Sequence, residues 1–192
     1  PQLIRRYRTS SPNVEVALLD LMSQDQIHSL KSGQIDIGFG RLKINDPEIK
    51  REVIFEEPLM AVFQKGHPLA NRKSISLEEM SQESLILYPK KPRPNYADQI
   101  SALFYKHSLQ INVVQEVQEL QTTLGLIASG VGSSIVPRSV QKMRTDDVVY
   151  VPFKNPDAVS PVVMSYLNKI EQTEELRKFI KRVRLLAHLS SN

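Results

Sequence analysis

Short runs of β-branched and aliphatic residues alternate along this chain with stretches whose apolar positions recur every three or four residues. Pro1–Arg8 reads as a helix closed by the turn Ser10-Ser11-Pro12-Asn13, and Val14–Leu21 as a buried strand. Ser23-Gln24-Asp25-Gln26 then has the spacing of a capping box, in which the Ser23 hydroxyl takes an orphan N–H and Gln26 reaches back. Ile27 and Leu30 supply that helix with an inward face, Gly33 stops it, and Ile35–Phe39 is the next strand. A β-α-β unit of this kind favours parallel pairing and an α/β fold.

Further on, Arg51–Gln64 reads as a long extended segment turned by Lys65-Gly66-His67-Pro68. Leu85–Tyr88 is a strand, Tyr96–His107 a helix with Ile100, Leu103, Phe104 and His107 on one face, and Ile111–Val117 a strand. Leu120–Ser129 is a helix stopped by Gly130, followed by a short strand at Ser133–Val136. The rhythm of 85–136 thus repeats that of the first part without its sequence. Val148–Phe153 and Pro161–Leu167 are the last strands, and Glu174–Leu189 is an amphipathic helix with Leu176, Phe179, Ile180, Val183 and Leu186 inward.

This order predicts two α/β units. The last strand and helix have no partner in the second unit and are returned to the first. Residues 1–59 and 157–192 are therefore expected to form one subdomain and 60–156 the other, with a hinge near 60 and 156. In such α/β pairs, ligands bind at strand C-terminal ends, in the crevice between subdomains.

Composition narrows the function classes. The 25 Lys and Arg exceed the 21 Asp and Glu by four, and the excess is spread along the chain rather than gathered as in dedicated nucleic-acid domains. There is no Trp for a stacking surface and no Cys for disulfides, thiol chemistry or Cys-bound metal. No stretch has the length of a membrane span, and Pro1–Arg8 lacks the apolar core of a signal peptide. The chain starts as a helix already under way, which predicts a fragment of something longer. A cytoplasmic location fits these features.

Catalytic chemistry is thin. The four histidines are scattered, His107 falls on an apolar helix stripe, and His67 sits in a turn. No nucleophile elbow, phosphate-binding loop or dinucleotide glycine fingerprint occurs. Gly130-Val131-Gly132-Ser133-Ser134 follows a helix and precedes a strand, which is a cap and turn rather than a phosphate cradle. Glu56-Glu57 and Asp146-Asp147 read as solvated charge. Neither a metal nor a cofactor is expected, and no enzyme activity.

Anion binding is better supported. Ser23 opens a helix directly after a strand, and Asn95 does the same in the second unit with Asp98 at the capping-box position. Each is an ordinary cap alone; one per subdomain, both after strands, points to a shared small carboxylate. Gly38-Phe39-Gly40-Arg41-Leu42-Lys43 adds two cations at a third strand end. Lys90-Lys91-Pro92-Arg93, ahead of Asn95, contributes at most a favourable field, its side chains reading as solvated.

The stretches Asp36-Ile37-Gly38-Phe39-Gly40-Arg41-Leu42-Lys43-Ile44, Gly66-His67-Pro68-Leu69-Ala70, and Leu124–Gly132 through Val136-Pro137 resemble the effector-binding domain of LysR-type transcriptional regulators. G-F-G-R-L-K together with Y-P-x-x-P-x-P-N-Y resembles the branch that responds to muconate or benzoate-like carboxylates. The resemblance implies two Rossmann-like subdomains joined by two crossovers, with a cleft between them, in the manner of type II periplasmic binding proteins. It also implies an N-terminal DNA-binding domain outside this chain, a first strand ahead of Pro1, and a homodimer or homotetramer.

Carried over residue by residue, the resemblance makes Ser23, Arg41, Pro94, Asn95 and Tyr96 the effector-binding candidates, with Lys43 and Glu119 as further ones. Asn95 and Tyr96 would act through backbone N–H groups, and Pro94 would shape their loop. Met22 stands where a small residue is often seen, which narrows the expected pocket against muconate. The helix at 120–129 and the strand at 111–117 are candidates for a homodimer face. DNA would be reached only through the N-terminal domain. Two alternatives remain at this point: a periplasmic solute-binding protein for a small organic anion, and an enzyme acting on a carboxylic acid in the same cleft.

Overall fold

The computed structural model describes residues 2–42, 44–143, 146–168 and 173–190. The chain divides into two compact units, Pro1–Phe55 with Pro161–Asn192, and Glu56–Ser160.

The first unit holds helix α1 (Gln2–Ser10), helix α2 (Ser23–Lys31), strand β1 (Gly38–Gly40), the first half of strand β2 (Ile49–Gln64), most of strand β7 (Val159–Leu167) and helix α6 (Glu174–Ser190). β1 pairs antiparallel with β7, Gly38 opposite Ser165 and Gly40 opposite Val163. Its core gathers Tyr7, Met164, Tyr166, Phe179, Ile180 and Val183. The Tyr7 and Phe179 rings meet edge-on with centroids 4.8 Å apart, so α1 and α6 share one apolar seam. The inward face read from the periodicity of 174–189 is the observed one.

Strand expectations fail in this unit. Val14–Leu21 forms no strand: Val14 and Val16 pack only partly against the core, and Leu18 and Leu19 are 70% and 54% exposed. A run of β-branched residues becomes a strand only where a ladder partner takes its N–H and C=O groups. Among the described residues this segment has none, and β1 takes its ladder from β7 instead. That strand also starts later than Ile35, at Gly38, because α2 ends in a tight turn in which Gln34 and Ile35 both donate N–H to the Ser29 carbonyl.

In the second unit, the later part of β2 pairs antiparallel with β5 (Ser134–Pro137) over 59–62 and with β6 (Val148–Pro152) over 60–64. Strands β3 (Ser84–Leu87) and β4 (Asn112–Glu116) run parallel, joined through helix α4 (Tyr96–Lys106), and helix α5 (Leu120–Ala128) leads on to β5. Ser133 lies parallel beside Leu85, so the β-α-β-α-β rhythm read from 85–136 is realised. Ala61, Val62, Phe63, Leu85, Ile86 and Leu124 are fully buried. Each large apolar side chain removed from water contributes roughly 1.5–3 kcal/mol.

The sequence reading passed over helix α3 (Leu77–Ser81), although Ser76 and Glu79 form a capping box. Ser76 Oγ accepts the Glu79 N–H at 3.2 Å, and the Ser76 N–H donates to Glu79 Oε2 at 2.9 Å. Only five residues follow, too few for a helical period to register. Glu57 is a further correction. Read as solvated, it is 8% exposed, and its Oε1 accepts the N–H of Ser139 at the start of the 3-10 turn Arg138–Lys142.

Candidate functional site

In the first unit, the candidate residues converge on the start of α2. The helix begins with Ser23 as its first residue and Met22 at the N-cap, without a side-chain cap. The capping box expected at Ser23 and Gln26 is therefore absent. Gln26 turns its amide the other way: Nε2 donates to Leu21 O at 3.2 Å and Phe39 O at 3.0 Å, tying the helix to the chain on either side of it.

This packing is close at two glycines beneath the helix. A Cβ at Gly38 would stand 2.5 Å from Gln26 Oε1, and one at Gly40 would stand 3.1 Å from Ser23 Oγ. The Ser23 hydroxyl thus lies over Gly40, immediately before the half-buried Arg41. Fold and sequence together place a hydroxyl, a helix N-terminus and a guanidinium-bearing residue within a few residues of one strand end. Lys43 lies outside the described residues.

In the second unit, Asn95 is the N-cap of α4 and is 3% exposed. Its Oδ1 accepts the Ala97 N–H at 2.9 Å, and its own N–H donates to Asp98 Oδ2 at 2.7 Å, the capping box read from the sequence. Nδ2 donates back to Pro89 O at 2.8 Å and Pro92 O at 2.7 Å. Every polar atom of the side chain is spent on the loop and the cap. Asn95 therefore shapes the helix start, and its side chain is not presented outward. Pro94 is exposed, whereas the Tyr96 ring is buried and its hydroxyl donates to Ile135 O at 3.2 Å.

The cation pair Lys90-Lys91 is exposed, but Arg93 is not simply solvated as expected. Its guanidinium binds Asp98 in the first turn of α4 and Glu116 at the end of β4, and Nε donates to Lys90 O at 3.2 Å. One position along, the Lys91 N–H donates to Gln118 Oε1 at 3.1 Å, and Gln118 Nε2 donates to Lys91 O. Glu119 follows as the N-cap residue of α5, where its carbonyl accepts the N–H and hydroxyl of Thr123, both at 3.1 Å. The proline-rich loop is thereby fastened to the segment that carries Glu119. Sequence reasoning missed Arg93, Glu116 and Gln118, since their separation of 23 to 27 residues leaves no local signal.

Another polar cluster lies in the first unit. Lys31 pairs with Asp46 and Glu48 at 2.9 and 2.7 Å, and this hydrogen bonding holds Asp46 below its ordinary carboxyl range. A groove of about 480 Å³ beside them is lined by Ile49, Arg51, Val53 and Val163. No group of His, Asp or Glu among the described residues has the geometry of a metal site, and no described helix is long and apolar enough to cross a membrane.

Residues 1–186 match the family described as LysR substrate binding domain. The chain is 46% identical over 165 residues, 86% of its length, to the HTH-type transcriptional regulator CatR of Pseudomonas putida, covering 56% of that protein. It is 39% identical over 175 residues, 90% of its length, to the HTH-type transcriptional regulator BenM of Acinetobacter baylyi, covering 58% of it. The chain thus spans somewhat more than half the length of these relatives, which are transcriptional regulators.

Among solved structures it superposes over its whole length, at TM-score 0.93 and 35% identity, on the BenM effector-binding domain with its effector benzoate, covering 86% of that chain. It also matches full-length CbnR complexed with its target DNA, over 97% of this chain and 65% of that one, at TM-score 0.90 and 28% identity. The fold is therefore the type II periplasmic-binding-like one that the resemblance implied, and the chain belongs to the LysR substrate-binding-domain family.

Proposed function

We propose that this domain senses a small carboxylate of the benzoate or muconate kind and passes its occupancy to DNA-binding domains of a longer regulator. The observation that carries the reading is full-length superposition on a domain solved with benzoate as its effector. The local chemistry supports it: a hydroxyl beside Gly40 and Arg41 in one unit, and a capped helix start after a strand in the other. Ser23, Arg41 and the backbone N–H of Tyr96 hold the carboxylate, and Pro94 and the Asn95 cap set the start of α4, the Asn95 N–H being taken by Asp98; Lys43 and Glu119 remain candidates by resemblance alone.

A ligand acts on such a domain by favouring the conformation to which it binds better. It shifts the population by its differential affinity and by nothing else. The domain works in the cytoplasm, by binding without turnover, in a homodimer or homotetramer, and reaches promoter DNA only through its N-terminal partner domain. The helix over 120–129 and the exposed strand β4 supply the subunit contacts.

Calorimetric titration with benzoate and with cis,cis-muconate tests this reading. Binding is expected to saturate, and Ser23→Ala or Arg41→Ala to weaken it about tenfold or more, as loss of a charge-assisted hydrogen bond requires. Absence of binding across a panel of aromatic acids and dicarboxylates overturns the effector class.

A further inference from the structure

Three of the contacts made by Arg93 differ in what they fasten. Nε reaches back to its own loop at Lys90 O, one guanidinium nitrogen holds Asp98 in the first turn of α4, and the other holds Glu116 on β4. Asp98 is already bound through its second oxygen to the Asn95 N–H, so the contact reaches the helix cap through one intermediate atom group. The side chains of Arg93, Asp98 and Glu116 are 36%, 41% and 34% exposed. Such pairs add little to global stability, because water screens them and ordering the side chains opposes the gain. What a planar guanidinium does well is fix geometry, since its fork holds two carboxylates at set angles.

Residues 90–94 are exposed and lie outside helices and strands, and the Asn95 side chain binds only neighbouring atoms of the loop and the cap. Beyond the loop itself, the fastening to β4 and its continuation runs through Arg93–Glu116 and the reciprocal Lys91–Gln118 pair.

We propose that Arg93 is a positioning residue for ligand binding: a buckle between Glu116 and Asp98 that sets the proline-rich loop and the Asn95 helix start in their binding geometry. It acts through its carboxylate partners and does not itself contact the ligand. The binding part of this proposal rests on the carboxylate-sensing reading above. The fastening of the loop does not.

Two readouts on the full chain keep these apart. Amide hydrogen exchange over residues 89–99, without any ligand, reads the buckle; titration with benzoate reads its consequence. Glu116→Gln and Arg93→Met are each expected to speed exchange in this segment by roughly threefold to tenfold and to weaken benzoate binding by a similar factor. Their Tm should stay within about 3 °C of the parent. In the double variant the two losses should not add, since the first already opens the buckle. Arg93→Lys, which keeps charge but not the fork, should recover only part of the affinity.

If Arg93 were a direct ligand contact, Glu116→Gln would free it and leave benzoate affinity equal or higher while Arg93→Met abolished it. That pattern, or unchanged exchange in both variants, overturns the proposal. Should the parent chain not bind benzoate, the effector reading fails and the exchange arm alone decides the buckle.

Discussion

Glu57 Oε1 accepts the backbone N–H of Ser139 at 2.6 Å, joining the middle of β2 to the first turn after β5. A carboxylate 8% exposed, aimed at the start of a 3-10 turn, serves as that turn's acceptor. Glu57→Ala leaves a backbone donor without it and is expected to cost about 2–3 kcal/mol in urea unfolding; Glu57→Gln, which keeps an oxygen there, should cost less.

Arg184 grips Glu52 with two hydrogen bonds, Nε to Oε2 at 2.8 Å and Nη2 to Oε1 at 2.6 Å, and the Tyr166 hydroxyl also donates to Glu52. The Arg184 guanidinium first, then the Tyr166 hydroxyl, holds the Glu52 carboxyl below its ordinary value of 4.5. Its contribution is present above that value and fades as pH falls through the lower folded one. Tyr166 moves the other way: burial, then the Glu52 carboxylate, push it from 10.0 to about 12. That contribution is complete below pH 10 and lost between 10 and about 12. Thermal unfolding against pH should show both limbs. Arg184→Met should flatten the acid limb and cost on the order of 1 kcal/mol at neutral pH, and Tyr166→Phe should flatten the alkaline one.

Two glycines of the second unit predict opposite signs. A Cβ at Gly132 would stand 2.6 Å from the backbone oxygen of Ser84, at the point where Ser133 pairs with β3. A Cβ at Gly125, inside α5, would meet nothing within 4 Å. Gly132→Ala is therefore expected to destabilise by about 1–3 kcal/mol, and Gly125→Ala to stabilise by about 0.5–1 kcal/mol. Chemical denaturation of the two variants side by side decides it.

Asn95 separates capping from loop tethering. Asn95→Asp keeps the oxygen that accepts the Ala97 N–H but loses the donors to Pro89 O and Pro92 O; Asn95→Ala loses all three. The alanine variant should lose about 1–2 kcal/mol more than the aspartate one if the cap dominates. Near-equal losses would place the energy in the loop tethers.

What the sequence made legible follows physical range. The Asn95 cap spans three residues, and its spacing was enough; the α4 and α6 faces repeat often enough to be read. The same spacing misled at Ser23, because a capping box requires the serine to stand outside the first turn. There Met22 holds the cap, and Gln26 finds two carbonyls instead. Val14–Leu21 has strand composition, but composition does not supply a ladder partner. Glu57 and Arg93 looked solvated because their partners lie 82 and up to 23 residues away. Nothing short of the fold brings those pairs together.

Gln26 and Gly38 have a consequence for how this domain can change. The amide that bridges Leu21 O and Phe39 O occupies the space that any side chain at position 38 would need. Gly38→Ala alone would displace the amide from both carbonyls, whereas behind Gln26→Ala the same methyl would meet an opening. The two positions are epistatic: the order in which substitutions arrive determines which are tolerated, and a library that varies either position alone would miss the sequences that vary both.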